Sequence, residues 1–427
     1  MLTVTHEYKL RPNKHQVEIF ETWLNVCRQV YNYALRERKD WVNSRKSPVN
    51  ACSIVGEYII SPDTPRPTYA SQCKNLARAK KIYSELKVPH SQVLQQTLKV
   101  LESAFVAMWD RGHGFPRFKK RLRSFVFPAV KDAAVENGRV NLPKIGWVRL
   151  KMSRPVPEGF LLAQIRVVKK ASGYFVMLTY RLAVNIPDIL PSGHPLGVDI
   201  GLDKYLATSD GELVNRPRFF NALHRELKLL QRRLKHKRKG SNNWLKLQRK
   251  ISQIYQRISD TRKDWHYKLA HRLCDQASMI FVENINFKAW AKGLFGKHTL
   301  DAAYGQFFSI LSHVCWKRGV YFAQVDKNYT SQTCPNCGTL TGKKSLDVRV
   351  HSCPECGYTT HRDVAAAQVI RNRGILAVGQ PVSQIASGGV LSGVHRNIGL
   401  DKICGMGGRA RAERTGGTPI PQQSSSV

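Results

Sequence analysis

Three acids and four cysteines carry the chemistry available to this chain of 427 residues. Cys334-Pro-Asn-Cys337 and Cys353-Pro-Glu-Cys356 form two Cys-x-x-Cys knuckles with fifteen residues between them. Thiolates at that spacing converge on one tetrahedral point and suit a structural Zn²⁺, with no coordination position left for a substrate. A redox dithiol pair is the weaker alternative. Asp199 lies inside the apolar run Leu196-Gly197-Val198-Asp199-Ile200-Gly201, Glu283 closes the run from Ala277, and Asp363 follows the last cysteine by seven positions. Each acid has a plain reading: a turn residue, the partner of a local cation, or the N-cap of the helix it begins.

The elements that must position them give the acids a joint reading. The strand around Asp199 is followed by a second at Tyr205 to Thr208, which turns at Asp210-Gly211 into a third. Helices follow, then the strand ending in Glu283, a helix from about Tyr304 to Arg318 and a strand from Tyr321 to Val325. Residues Val364 to Arg373 make a short helix that Gly374 is expected to close. This is the element order of an RNase H-like sheet, in which three carboxylates converge at one edge. Packed acids repel one another unless cations sit between them, and two hard ions about 4 Å apart suit phosphodiester cleavage. One ion activates water and the other stabilises the leaving 3′ oxygen. Oxygen ligands with retained waters favour two Mg²⁺ over zinc.

Charge supplies a partner. Lys and Arg number 68 against 30 Asp and Glu, a formal net charge of +38, which a polyanion would neutralise. Nucleic acid is the expected counterpart, with a ribosomal-type basic protein or a membrane-surface binder as the plain alternatives. Glu7 and Lys9 stand where a signal peptide would be apolar, and no apolar run approaches spanning length, so an intracellular protein without a membrane partner is expected. Cys27, Cys52, Cys73, Cys274, Cys315 and Cys404 are scattered as reduced thiols would be.

The length implies two or more domains. Val17, Phe20, Leu24, Cys27, Tyr31 and Ala34 form one amphipathic stripe and Leu94, Leu98, Leu101, Phe105 and Met108 another, so residues 11–112 read as helical. In Gly114-Phe115-Pro116-Arg117-Phe118-Lys119-Lys120-Arg121 the rings could stack on bases while Arg117, Lys119, Lys120 and Arg121 meet phosphates. A solvated loop anchored by two phenylalanines fits equally well. Strands at 162–169 and 174–182 form a hairpin, part of a small β barrel or wedge into which the helical region is inserted. Leu223, Leu227, Leu230 and Leu234, then Leu247, Ile251, Ile254 and Ile258, give a helical hairpin. From Arg218 to Lys263 it holds fifteen Lys and Arg against Glu226 and Asp260, which makes Arg232, Arg233, Lys237 and Arg238 candidate nucleic-acid contacts. Past about Val382 the Gly- and Ser-rich sequence reads as a disordered tail.

Four blocks, LGVDIGLDKYLATSDG from Leu196, VENIN from Val282, TSQTCPNCG from Thr330 and CPECGYTTHRDVAAA from Cys353, resemble the signatures of the TnpB family of transposon-encoded RNA-guided DNA endonucleases. GFPRFKKR from Gly114 and PHSQVLQQ from Pro89 resemble it too, and the similarity spans about residues 1 to 375. The chain is also similar to type V CRISPR effectors. The resemblance implies an α/β multidomain fold: a wedge β-barrel domain (1–10 and 113–194) carrying a helical recognition domain (11–112), a RuvC nuclease domain (195–332 and 359–375) with an inserted zinc ribbon (333–358), and a tail (376–427). It implies a guide RNA from the transposon end, recognition of a short target-adjacent motif, and cleavage of both strands of double-stranded DNA by one RuvC site in a monomeric protein. Asp199, Glu283 and Asp363 match the family's catalytic triad, and the four cysteines its zinc ligands. The family usually reads Asp-Arg-Asp-x-Asn-Ala-Ala where this chain has His361-Arg362-Asp363-Val364-Ala365-Ala366-Ala367. An RNA-guided repressor with weak or no cleavage and an RNA-independent resolvase-like nuclease are the alternatives. The three intact acids argue against the first, and the large basic N-terminal half against the second.

Overall fold

The computed structural model describes residues 2–45, 60–61, 63–129, 134–184, 188–345 and 347–379, in two compact units, Met1–Pro187 and Asp188–Val427. Cys52, Cys404 and the expected tail from residue 380 onward lie outside the described residues.

In the first unit β1 (Leu2–Arg11) leads to Asn13, which starts α1 (Lys14–Ser44). The Asn13 side chain accepts from the Gln16 N–H at 2.8 Å while the Gln16 side chain accepts from the Asn13 N–H at 3.1 Å, a reciprocal cap that satisfies two free helix-end donors. There follow α2 (Tyr69–Ile82), α3 (Ser91–Arg111), β2 (Ser124–Phe127), β3 (Val135–Glu136), β4 (Arg139–Leu142), β5 (Gly146–Lys151), β6 (Leu161–Lys170) and β7 (Gly173–Leu182). Among the described residues these strands form one sheet in the order β2-β6-β7-β1-β5-β4-β3. The opening strand therefore sits in the middle, antiparallel to β7 and β5, and the helices are inserted after it as expected. The expected barrel is an open sheet, since no pairing among the described residues joins the edge strands β2 and β3. The predicted stripes of α1 and α3 meet in one core, where Phe20, Trp23, Leu24, Leu98 and Phe105 pack with Phe125, Phe127 and Val176.

The second unit runs β8 (Pro195–Ile200), β9 (Lys204–Thr208), β10 (Leu213–Asn215), α4 (Asn221–Lys235), α5 (Asn242–Gln276), β11 (Met279–Glu283), α6 (Phe287–Trp290), α7 (Gly296–Ala302), α8 (Tyr304–Arg318), β12 (Tyr321–Val325), β13 (Val350–Ser352), β14 (Thr359–His361) and α9 (Arg362–Ala377). Its main sheet has the order β10-β9-β8-β11-β12, with β8, β11 and β12 parallel and β9 antiparallel to both neighbours.

Both faces of this sheet are covered, and alternation along each strand decides which residue meets which helix. Leu196, Val198, Ile200, Ile280 and Val282 share a core with Leu269 and Leu273 of α5 and Phe307 and Leu311 of α8. Met279, Phe281, Ala323 and Val325 face the other way, onto Ile370 and Ile375 of α9. Gly197 belongs to that second face: a Cβ there would lie 1.9 Å from the carbonyl oxygen of Ala367 and 2.6 Å from the backbone nitrogen of Arg371. Only a hydrogen lets α9 come this close to β8. Gly374 works in the same way and corrects its reading as a helix stop, because α9 continues through it to Ala377 and its absent Cβ would stand 2.2 Å from the Phe281 ring. The hairpin of α4 and α5 closes on Leu227, Leu230, Ile251, Ile254 and Ile258, the stripe predicted for it.

Candidate carboxylate site and cysteine centre

Asp199 and Glu283 come from neighbouring strands at matched positions. Val198 pairs with Val282 in the parallel register of β8 and β11, so the next residues, Asp199 and Glu283, stand side by side on strands about 4.8 Å apart. Both lie on the α9 face, as Gly197 and Phe281 do two residues earlier. Asp363, in the first turn of α9, lies one helical turn before Ala367, which packs on Gly197. The close approach at Gly197 thus delivers Asp363 to the end of β8 where Asp199 stands. Removal from water pushes the Asp199 pKa well above the usual carboxylate range, and the charges of Glu283 and then Asp363 push it further, against a smaller opposing effect of Arg362. Glu283, 9% exposed, is also raised, first by burial; the Thr330 hydroxyl and the charges of Arg373 and Lys327 act against the rise. Burial and like charge therefore oppose ionisation of Asp199, and burial opposes that of Glu283.

Asp363 is not the cap of its helix. That place belongs to His361, whose Nδ1 accepts the Asp363 N–H at 3.2 Å, and the carboxylate of Asp363 is left free for the cluster. Ala365, the other departure from the family pattern, is 2% exposed and packs inward. Other residues that sequence reasoning missed sit close by. The Thr330 hydroxyl donates to the Glu283 carboxylate, and Tyr304, whose pKa is pushed up to about 12 chiefly by burial, donates to the carbonyl of Gly201. A polar cleft of about 930 Å³ starts at Asn284 and is lined by Asn286, Lys288, Gln324, Asp326 and Lys327.

The four cysteines form a closed set: their sulfurs all lie within 4.8 Å of one another, with Cys334 and Cys356 3.7 Å apart and Cys337 and Cys353 3.6 Å apart. A tetrahedral ion with bonds of about 2.3 Å requires sulfurs about 3.8 Å apart, so the donor set fits zinc. The knuckles repeat one geometry. Gly338 donates to Cys334 and Gly357 to Cys353, each at 3.0 Å, and the two glycines hold φ of 79° and 69°. The second knuckle then runs through β14, paired to β13 with His361 opposite Val350, straight into the His361 cap. Asn372 donates to the Pro335 carbonyl at 2.9 Å and Tyr358 to the Gln368 side chain at 2.9 Å, so α9 is tied to both knuckles.

The candidate nucleic-acid residues fall into two groups. Arg117, Lys119, Lys120 and Arg121 are exposed on a loop that Asn32 fixes by bonds of 2.8 and 2.9 Å to the Lys119 backbone. Phe115 packs edge-on against Phe105 and Phe118 lies under Lys39, so these rings anchor the loop. Arg232, Arg233, Lys237 and Arg238 are exposed on the hairpin, where Arg233 and Lys237 join His236, Lys246, Arg249 and Lys250 around a cavity of about 690 Å³. No helix among the described residues is long and apolar enough to cross a membrane.

Fold and site define a multidomain α/β protein in which a cysteine module interrupts the chain between the second and third of three converging acids. The chain is similar to proteins named as RNA-guided DNA endonucleases or as TnpB-like over 87–90% of its length. Residues 183–293 match a family model described as a probable transposase, residues 304–370 one described as a Cas12f1-like TNB domain, and residues 1–47 one described as a helix-turn-helix domain. The described part of that last stretch is here a strand, Leu2–Arg11, and one uninterrupted helix, Lys14–Ser44. The chain is 29% identical over 394 residues to "Putative RNA-guided DNA endonuclease InsQ" of Escherichia coli, covering 88% of this chain and 92% of that protein. It is 28% identical over 391 residues to "Putative RNA-guided DNA endonuclease" of Streptomyces pristinaespiralis, covering 90% of each. A Cas12f1 chain, solved in complex with guide RNA and target DNA, shares the fold with a TM-score of 0.53 over 85% of this chain and 84% of that one, at 15% identity.

Proposed function

We propose that this protein is an RNA-guided, metal-dependent endonuclease that cuts double-stranded DNA at a single RuvC-type site. The observation that carries this reading is the convergence of Asp199, Glu283 and Asp363 on one end of a five-stranded sheet, where Glu283 and Asp363 raise the cost of ionising Asp199. Acids so arranged and half withdrawn from water are suited to divalent cations. The oxygen-only donor set fits Mg²⁺, which would lower the pKa of a bound water and neutralise charge on the leaving oxygen. The residues' own contribution is position: β8 and β11 fix two carboxylates side by side, and α9 brings the third.

The nuclease unit corresponds to the RuvC domain with its zinc ribbon, and the open sheet with its three helices to the wedge and recognition domains. The exposed cations around the α4–α5 cavity and of the Arg117 to Arg121 loop are the proposed contacts to nucleic-acid phosphates. The relatives named as RNA-guided endonucleases support a guide RNA, which is proposed to derive from the transposon end. The ribonucleoprotein is proposed to hold one copy of the chain and to read a short motif beside its target.

Expression with flanking transposon sequence, sequencing of the bound RNA and cleavage of a plasmid library with randomised motifs test the proposal. Asp199→Ala and Asp363→Ala are each expected to abolish cutting while RNA still copurifies. Wild-type protein that binds RNA and target but leaves both strands whole would favour the repressor reading, and cutting without RNA the resolvase-like one.

A further inference from the structure

We propose that Thr330 is a positioning residue for Glu283, and that through it the segment leading into the cysteine centre sets the metal affinity of the carboxylate site. The proposal rests on the reading of the three acids as a metal site.

Glu283 is the last residue of β11, paired with Val325 of β12, and its carboxylate takes a donor from outside the sheet. Thr330 provides one from 47 residues further along the chain, and its hydroxyl is 6% exposed as a residue, in contact with a carboxylate that is itself 9% exposed. A second acceptor, the Lys327 carbonyl, lies 3.2 Å from the same oxygen. The hydroxyl has one proton to give, and the closer carboxylate takes it. A donor on one carboxylate oxygen fixes the plane of the group and leaves the other oxygen for a cation, which is how partners behind metal ligands act.

Thr330 does not hold this place by local structure alone. Arg373 of α9 reaches the segment after β12 and donates to the carbonyls of Asp326 at 2.9 Å and Asn328 at 2.7 Å. Beside it Asn372 holds Pro335, inside the first knuckle. The stretch from Asp326 to Pro335 is thus clamped by the helix that starts at Asp363. One helix fixes the third acid at its beginning and, near its end, the residue that orients the second.

The test uses the full chain purified with its RNA, Mn²⁺ as the probe and electron paramagnetic resonance to count free ions. Thr330→Val should bind Mn²⁺ about 10- to 100-fold more weakly than wild type, with zinc content and melting temperature retained. Thr330→Ser, which keeps the hydroxyl, should restore affinity to within about threefold. Should the valine variant fail to fold, Thr330→Ala against Thr330→Ser carries the same comparison. Wild-type affinity in the non-donor variants, or a serine variant as weak as they are, overturns the proposal, since then the methyl group's packing and not the hydroxyl is what counts. Glu283→Ala separates the two levels: if it binds Mn²⁺ as wild type does, the metal reading of the acids fails. If it alone weakens binding, the acids stand and the role of Thr330 falls.

Discussion

The cysteine centre and the carboxylate site lie in one unit and are built on opposite principles. The four sulfurs come from two knuckles 15 residues apart and stand within 4.8 Å of one another. Their geometry is local, repeated and closed. The three acids come from positions 199, 283 and 363, and among the described residues their oxygens do not form a cluster that tight. They meet only because β8 pairs with β11 and α9 crosses both, and the fold bears their repulsion. With a metal bound, the first centre would stabilise the chain around it, whereas the second is held together by that chain. A structural zinc site can serve as the rigid neighbour of a strained site because its own binding free energy is so large.

Breaking the cysteine centre should give the largest effect. Structural zinc supplies an apparent 10–16 kcal/mol in isolated zinc-finger peptides, roughly what holds a small module together. Cys353→Ser is expected to lose the metal, measured by atomic emission, to unfold the knuckles, and to cut cleavage by about 100-fold or more through the loss of the β14 and Pro335 anchors. If zinc is lost while Mn²⁺ affinity and cleavage stay at wild-type levels, the two centres are independent and the comparison fails.

Next in size is the contact that joins the acids. Gly197→Ala places a methyl where the Ala367 carbonyl stands, so α9 must lift off β8 at the residue one turn after Asp363. A shift of about 1 Å at a reacting group costs on the order of 100-fold in rate. Cleavage should fall by about that much, with 1–3 kcal/mol of stability lost to overpacking, read by denaturant unfolding. The zinc content should not change. Undiminished cleavage would show that the approach of α9 does not place Asp363.

How much of this was legible in the sequence depended on how far each residue's partner lay along the chain. The knuckles, the strand around Asp199 and the helix Tyr304–Arg318 were readable, because spacing and periodicity within about fifteen residues carry their signal. Gly374 was misread, since a glycine near a helix end is ordinarily a stop and only the Phe281 ring, 93 positions away, gives it another purpose. His361 stood out merely as a departure from a family pattern, and its capping role needed the backbone of the turn. Arg373 gives no signal, and Thr330 only opens a block of family resemblance with no role attached to it, because their partners lie across the sheet or on the facing segment. Gly197 did carry one, a glycine inside an apolar strand run, which marks a site where another backbone comes close.

The smallest expected effect concerns stability and runs against function. Asp199 and Glu283 have pKa values raised in the fold above their unfolded values near 4. The folded state then holds their protons more tightly than the unfolded chain does, so their contribution is intact below the unfolded values and is lost as pH rises through the folded ones. In magnesium-free buffer the melting temperature should decline as pH climbs from about 4 toward neutrality, and Mg²⁺ should reverse the decline by binding the native state alone. Asp199→Asn removes one of the opposed charges. It should flatten that slope and raise the metal-free melting temperature at neutral pH by about 2–4 °C, the shift that about 1 kcal/mol gives in a domain of this size, while abolishing cleavage. A variant that melts lower than wild type without metal would mean that Asp199 is held by favourable contacts, and the carboxylate site would then be no more strained than the cysteine centre beside it.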